Sequence, residues 1–212
     1  MTVKPIASLE FSKFIERKIP NFELLNDEAL EIIEEGAEQI LSEIGVNFPD
    51  NEFAQKLWKD AGADVKGDLV RIPKGLARKL CSTAPCEFTQ HARSPDKNVT
   101  IGGKNLVCAP VYGPPFVRDL EKGRRYAEMS DFEKFVKLGY MSKWLHHSGG
   151  TLCEPTDVPV NKRHLDMLFS HILYSDKPFM GSVTAPERAR DSIDMVKILF
   201  GKDFVNNNTV LT

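Results

Sequence analysis

The stretch that decides the fold reads NLVCAPVYG over residues 105–113, PPFVRDLEKGRRYAEM over 114–129 and SDFE over 130–133. The first piece is an apolar run of strand length that ends at glycine and two prolines, which predicts a strand buried on both faces. The middle piece predicts a small hairpin. The last piece predicts a helix opened by a capping box between Ser130 and Glu133. Strand, loop and helix together form one βα unit.

The sequence after this unit repeats the same pattern. Strands are predicted near residues 144–152, 179–183 and 205–212. Amphipathic helices are predicted from Asp131, over residues 165–173, and from a second capping box at residues 184–187 to Gly201. Four strands separated by three helices predict parallel pairing through right-handed crossovers, and the fold class is α/β.

Two α/β architectures fit this alternation of strands and helices. A doubly wound sheet needs a Gly-rich turn after its first strand, whereas Gly102 and Gly103 precede a strand here. We therefore predict the first half of a (βα)8 TIM-type barrel. Because such barrels need about 250 residues, we expect the chain to be a fragment of one.

The sequence before the central unit has a different character. Apolar residues recur at helical spacing from Leu30 to Ile44 and stop at Gly45, and a shorter helix is predicted over 53–61. A hairpin over residues 64–72, a short helix after Pro73 and a strand over 87–93 follow. We predict an N-terminal arm and small α+β cap at residues 1–97, and the four strands and three helices of the barrel portion at residues 98–212.

Composition limits the classes of partner. Charged residues of both signs are mixed and the formal net charge is −2, so no nucleic acid partner is expected. The apolar runs are too short for a membrane span, and the N-terminus lacks the apolar core of a signal peptide, so we predict a cytoplasmic protein without membrane association. The four cysteines, at 81, 86, 108 and 153, lack CxxC spacing and are predicted to be reduced and mostly buried.

The histidines do not predict a metal site. His146 and His147 are neighbours in a predicted strand, so their side chains point to opposite faces and cannot readily share one ion. His164 and His171 are separated by seven residues on a predicted helix, where we expect them at the surface or its margin. No metal is predicted.

A set of short motifs extends from about residue 26 to the end of the chain. They are Gly45-Val46, Val70-Arg71-Ile72-Pro73, Ala84-Pro85, His91-Ala92-Arg93, Ile101-Gly102-Gly103, residues 110–119 (PVYGPPFVRD), Glu154-Pro155 with Asp157, and Ser175-Asp176-Lys177-Pro178. In their order and spacing these motifs resemble the trimethylamine methyltransferase family.

The resemblance implies a (βα)8 barrel that takes a methyl group from a tertiary or quaternary methylated amine. The methyl group passes to the cobalt of a corrinoid (cobalamin) carried on a separate protein, so the chain itself binds no cofactor directly. A corrinoid protein and a small methylated amine are the implied partners. Some members of the family use pyrrolysine in the later half of the barrel, outside this sequence, and no catalytic residue is assigned here.

A quaternary ammonium has no proton to donate, so cation–π contacts and carboxylates must hold it, and positioning does most of the catalysis. In a barrel, such groups lie on loops at the carboxyl ends of the strands. The substrate-binding candidates are Tyr112, Gly113, Phe116, Thr151, Glu154, Ser182, Asn206 and Asn208. Other roles stay open, since Tyr112 and Phe116 are also expected to cover a core edge and Glu154 to cap a helix or pair with an arginine.

Two other functions compete with this one. Another (βα)8 enzyme, such as an aldolase, would have the same alternation, but a Schiff-base lysine at a strand end is not evident. A non-catalytic remnant is the third candidate. The isolated chain is expected to self-associate as an oligomer or aggregate, because its fourth strand would present unpaired backbone groups.

Overall fold

The computed structural model describes residues 12–212. The chain divides into two compact units, one formed by Ile19–Cys86 and the other by Glu87–Thr212 together with residues 12–18. The strands are β1 (Ile15–Glu16), β2 (Val46–Asn47), β3 (Asp64–Lys66), β4 (Leu69–Arg71), β5 (Glu87–Gln90), β6 (Val99–Gly102), β7 (Asn105–Leu106), β8 (Phe116–Asp119) and β9 (Gly123–Tyr126). The helices are α1 (Asp27–Gln39), α2 (Glu52–Ala61), α3 (Leu76–Cys81), α4 (Met129–Met141), α5 (Arg163–Tyr174), α6 (Pro186–Phe200) and α7 (Lys202–Asn207).

The unit of residues 19–86 packs three helices with a three-stranded antiparallel sheet of order β2-β4-β3. Helix α1 begins after Asn26, whose side chain accepts a hydrogen bond from the backbone N–H of Ala29 at 3.0 Å. It continues as a π-helical turn to Ile44 and ends at Gly45. A side chain at Gly45 would lie 2.5 Å from the carbonyl oxygen of Val70, so only glycine fits there. The predicted helices and hairpin of this region are confirmed.

The predicted hairpin after the central stretch is also confirmed, as β8 and β9. The helix that follows begins earlier than predicted. Its capping box joins Glu128 to Asp131, so the predicted box between Ser130 and Glu133 is wrong. Asp131 accepts from the backbone N–H of Glu128 at 3.0 Å, and that bond fixes the start of α4 two residues before the predicted position.

Helix α6 ends at Gly201 as predicted, with Val196 buried and Ile198 exposed. The second predicted capping box is wrong, because Ala185 occupies the N-cap position and provides no side-chain hydrogen bond. Pro186 takes the first helical position instead, where its missing N–H costs nothing. Beyond Gly201 the predicted strand is partly wrong, because Val205 lies in helix α7.

The predicted strands after residue 105 are shorter than expected. The first predicted strand is regular only at β7, and residues 144–152 form no regular strand. In the third predicted strand, Phe179 forms a single parallel bridge to Leu211. Prolines at 110, 114 and 115 lack the N–H that a ladder requires, and Gly149 adopts a φ of +89°, which interrupts an extended strand.

Even so, these segments lie side by side in chain order. The N–H of His146 donates to the carbonyl of Cys108 at 2.9 Å, and the N–H of Ser148 donates to that of Pro178 at 2.8 Å. The N–H of Gly181 donates to the carbonyl of Thr212 at 3.0 Å, which continues the series.

Two buried apolar clusters hold the helices against these segments. One contains Phe132 and Val136 of α4 with Met167 of α5. The other contains Leu168 of α5 and Val196 of α6, packed with Phe179 and Val210 of the extended segments. Within residues 12–212, none of the helices combines the length and the apolar character needed to cross a bilayer.

The cysteine prediction is correct in part. All four thiols are free, and Cys153 is buried, but Cys81 and Cys86 are exposed and Cys108 is half-buried. Cys81 ends the short helix α3, and Cys86 follows a proline before β5. "Mostly buried" was therefore wrong for this chain.

Candidate functional site

The loops that follow the first two extended segments are joined to each other. The backbone N–H of Gly113 donates to the carbonyl of Thr151 at 2.8 Å, and the N–H of Glu154 donates to that of Pro114 at 3.0 Å. Three of the predicted substrate-binding residues, Gly113, Thr151 and Glu154, are thereby brought together. Tyr112 lies next to them and is 61% exposed, so its ring is accessible to solvent.

Glu154 forms an ion pair. Its Oε2 atom lies 2.9 Å from Nη2 of Arg163, while Nη1 of the same arginine donates to the carbonyl of Pro155 at 2.9 Å. The arginine therefore ties the loop to the first residue of α5. Pairing with an arginine was one of the alternatives open for Glu154, and the remaining exposure of its side chain, 37%, leaves the carboxylate in contact with solvent.

Phe116 has neighbours on its ring. The guanidinium of Arg124 lies 3.6 Å from the ring centroid, and the ring of Tyr126 packs at 4.6 Å. A cation thus already occupies one face of this aromatic ring. Any contact of Phe116 with a substrate ammonium would have to use what remains of its surface.

Ser182 borders two cavities. The smaller one, about 20 Å³, is also lined by Thr151. The larger one, about 510 Å³, is lined by Ser182 together with Asn206 and Asn208. The structure places Asn206 in helix α7, whereas Asn208 follows that helix. The predicted substrate-binding residues therefore do not surround a single point. Gly113, Thr151 and Glu154 lie together, Asn206 and Asn208 line the larger cavity, and Ser182 lines both cavities.

A buried polar network that the sequence interpretation missed lies among the same segments. His147 is almost fully buried, accepts from the N–H of Gly149 at Nδ1 (2.9 Å) and contacts Oε1 of Gln90 through Nε2 at 3.1 Å. Because Nδ1 is the acceptor, Nε2 carries the proton and donates to Gln90. The amide nitrogen of Gln90 in turn donates to the carbonyl of Phe179 at 3.0 Å, and the hydroxyl of Thr212 lies 3.4 Å from the amide oxygen. One buried amide therefore links three segments.

His171 forms the second half of this network. Its Nε2 donates to the carbonyl of Gly150 at 2.7 Å, and its Nδ1 accepts from the hydroxyl of Ser148 at 2.7 Å. Burial lowers the pKa of both His147 and His171 to about 4, so both rings are neutral at pH 7. The expectation that His164 and His171 lie at the surface was wrong, since both are buried. The signal was present, because residues 164, 167, 168 and 171 form one helical stripe.

Lys177 is buried at the beginning of the third segment. Its ammonium donates to the carbonyls of Gly139, Ser142 and Leu145 at 2.9, 2.9 and 2.7 Å. Burial lowers the pKa of Lys177 to about 8, which still leaves it charged at pH 7. An aldolase needs a neutral amine that reaches its substrate, and a fully bonded ammonium at this position does not provide one.

Asp131 and Arg125 join the hairpin to helix α4. The two terminal guanidinium nitrogens, Nη1 and Nη2, lie 2.5 and 2.7 Å from the two carboxylate oxygens and form a bidentate pair. The hydrogen bonds from Arg125 hold the pKa of Asp131 at about 2. The backbone N–H of Met129 donates to Asp157 at 2.8 Å, so the loop after residue 153 is attached to the same helix start.

Among residues 12–212, no group of three or more His, Cys, Asp or Glu side chains is arranged to hold a metal ion. The polar atoms of the network are used in bonds between segments. The arrangement provides segment ends that are joined by hydrogen bonds of neutral, buried side chains. Such a support suits a site whose work is positioning.

Comparison with known proteins shows the family. The family model described as trimethylamine methyltransferase (MTTB) matches residues 3–212. The glycine betaine methyltransferase of Desulfitobacterium hafniense (strain Y51) is 43% identical over 194 residues, which are 91% of this chain and 40% of the relative. The proline betaine:corrinoid methyltransferase of Eubacterium limosum is 29% identical over 158 residues, 73% of this chain and 32% of the relative. The chain thus spans less than half the length of either relative. With a family match over nearly its whole length, this chain belongs to the trimethylamine methyltransferase family.

Proposed function

We propose that this chain is part of a methyltransferase that takes a methyl group from a quaternary ammonium of the betaine class and transfers it to a corrinoid protein. The observation that carries the proposal is the 43% identity to a glycine betaine methyltransferase across nearly the whole chain. The second relative also has a betaine and a corrinoid in its name. We favour a quaternary over a tertiary amine because both relatives are named for betaines.

We also propose that residues 98–212 form the first part of a (βα)8 barrel. Two observations support it. Helices α4, α5 and α6 alternate with extended segments that lie beside each other in chain order, and the bridge between Phe179 and Leu211 is parallel. A barrel would place the loops after these segments at one end, where the substrate of such an enzyme binds.

The residues of this chain would act by positioning. A quaternary ammonium keeps its charge at every pH, so its binding depends on carboxylates and aromatic faces rather than on proton transfer. Glu154, fixed by Arg163 and partly exposed, is the carboxylate best placed at a segment end. Tyr112 is the exposed aromatic residue beside it. The partner's corrinoid would accept the methyl group, and we assign none of residues 12–212 to it.

A chimera tests the proposal directly. Residues of the glycine betaine methyltransferase that match this chain are replaced by the chain, and the rest of the relative is kept. The chimera is mixed with cob(I)alamin and glycine betaine, and methylcobalamin is followed by its visible spectrum. We expect methyl transfer above the control without protein.

The controls separate folding from function. The unaltered relative gives the reference rate, and the 212-residue chain alone is expected to be inactive, because four strands would supply only half of the ring of loops of such a barrel. A folded chimera that is inactive with glycine betaine, with trimethylamine and with proline betaine would overturn the proposal. Activity with trimethylamine alone would overturn the choice of a betaine.

A further inference from the structure

A small cavity lies between helix α5 and the ends of two extended segments. It is lined by His164 and Met167 of the helix, and by Thr151, Met180 and Ser182 of the segments. Its volume is about 20 Å³. A cavity of about 10–15 Å³ or more on this measure accommodates one water molecule, and nothing larger would fit this one.

His164 contributes a polar atom that needs a partner. Only 5% of the residue is exposed, and its Nε2 lies 2.7 Å from Oδ2 of Asp191. A carboxylate only accepts hydrogen bonds, so Nε2 carries a proton and donates it to Asp191, and Nδ1 is left to bond another group. Within the described part of the chain, this buried Nδ1 has no hydrogen-bond partner.

Buried polar atoms in folded proteins are almost always bonded to protein or to ordered water. The remaining polar groups around the cavity suit water, because Thr151 and Ser182 carry hydroxyl groups that both donate and accept. A buried water needs two to four such partners. Gly150 also lines the cavity, and its carbonyl already accepts from His171.

We propose that this cavity is a binding site for one water molecule, which is hydrogen-bonded to Nδ1 of His164 and links helix α5 to Thr151 and Ser182. His164 is then a positioning residue for the two segment ends. Asp191 holds Nε2 of the ring from the outer side, where its carboxylate is 44% exposed. The proposal does not depend on the betaine activity, because it concerns the packing of these groups in the free protein.

A crystal structure at a resolution that resolves ordered water is the first test. We expect one water within hydrogen-bond distance of Nδ1 of His164 and of at least one of the two hydroxyl oxygens. Absence of electron density in the cavity, or a protein atom bonded to Nδ1, would overturn the proposal.

Two variants separate the contribution of Nδ1 from that of the contact with Asp191. His164→Phe keeps a ring of similar size but removes Nδ1, and we expect the water to be lost or to fall to low occupancy. Asp191→Asn keeps Nδ1 and removes the charge outside the cavity, and we expect the water to remain. An equally occupied water in both variants would show that His164 does not hold it.

Nitrogen-15 NMR of the histidine rings supplies a readout that does not require crystals of a variant. We expect Nε2 of His164 to carry a proton, and we expect a nuclear Overhauser contact between the ring and a bound water. A His164 ring without such a contact, or with its proton on Nδ1 alone, would contradict the assignment whatever the stability of the variants.

Discussion

The contact between Arg125 and Asp131 allows a stability prediction with a matched control. Asp131→Asn removes the charge but keeps an oxygen that can accept from the N–H of Glu128, so the start of helix α4 is preserved. What is lost is the bidentate pair at 2.5 and 2.7 Å. Asp119 lies 3.4 Å from the same guanidinium, on the exposed side of the hairpin, and Asp119→Asn is therefore the control.

The size of the effect follows from the pKa of Asp131, which falls from 3.8 to about 2. Each pKa unit corresponds to about 1.4 kcal/mol, so the upper bound is about 2.5 kcal/mol. The guanidinium is 24% exposed and the carboxylate 8%, and solvent screening of the arginine reduces the expected loss to about 1–2 kcal/mol. For a chain of this length, the thermal midpoint should fall by about 2–8 °C. Asp119→Asn should shift it much less, because that contact is longer and exposed.

The dependence on pH gives a second readout. A carboxyl whose pKa is depressed in the folded state stabilises the fold above its unfolded pKa and loses that contribution as the pH falls towards its folded pKa. The difference between the wild-type protein and Asp131→Asn should therefore be constant above about pH 5 and should disappear between about pH 4 and pH 2. Thermal unfolding followed by circular dichroism measures both quantities. An Asp131→Asn protein as stable as the wild type at pH 7, or an Asp119→Asn protein that loses as much, would refute the reasoning.

Three further predictions concern the network and the loops. Burial lowers the pKa of His147 to about 4, so the fold should lose stability as the pH falls from about 6.5 to about 4. His147→Gln should weaken this dependence of the free energy of unfolding on pH, measured by urea unfolding curves at several pH values. Lys177→Met should lower the free energy of unfolding by about 3 kcal/mol in the same assay, because it leaves three backbone carbonyls without their donor. The control Lys137→Met replaces a half-exposed lysine and should change the free energy of unfolding little. In the chimera, Glu154→Gln should weaken betaine binding by roughly one to two decades. It should leave the thermal midpoint nearly unchanged, because the Glu154 carboxylate is in contact with solvent, with 37% of its side chain exposed. An equal loss of affinity in Arg163→Gln would show that the pair, and not the carboxylate alone, is required.

The sequence predicted the helices well because their signal is local. One apolar stripe with a period of 3.6 residues, ended by glycine, is enough to place α1, α2 and α6 within a few residues. The start of α4 was missed because two overlapping capping boxes compete there. Asp131, held by an arginine six residues earlier, decides between them.

The extended segments were harder to predict because an apolar run does not show whether its backbone forms a regular ladder. Prolines and a left-handed Gly149 leave residues 107–115 and 144–152 without strands, although they lie beside their expected neighbours. Val205 was assigned to a strand although it follows Phe204 directly. The ring of Phe204 packs on that of Phe200 at 5.9 Å, and this contact between helices α6 and α7 was not visible in the sequence pattern.

The candidate site was likewise predicted only in part. Gly113, Thr151 and Glu154 were expected at segment ends, and the structure brings them together. The role of Gln90 could not be read from its neighbours in sequence, because all of its side-chain partners belong to later parts of the chain. Pairing with an arginine was one of the roles considered for Glu154 from the sequence, and the structure identifies that arginine as Arg163.

The side chain of Gln90 also has a consequence for the kinetics of folding. Its contacts with His147, Phe179 and Thr212 span 57, 89 and 122 residues along the chain. Closing loops of this length carries an entropic cost that nearby contacts do not have, so these bonds should form after the hairpin and helix α4. During synthesis the amide remains hydrated until all three partners have been made. A substitution at Gln90 should therefore speed unfolding and leave the rate of folding almost unchanged.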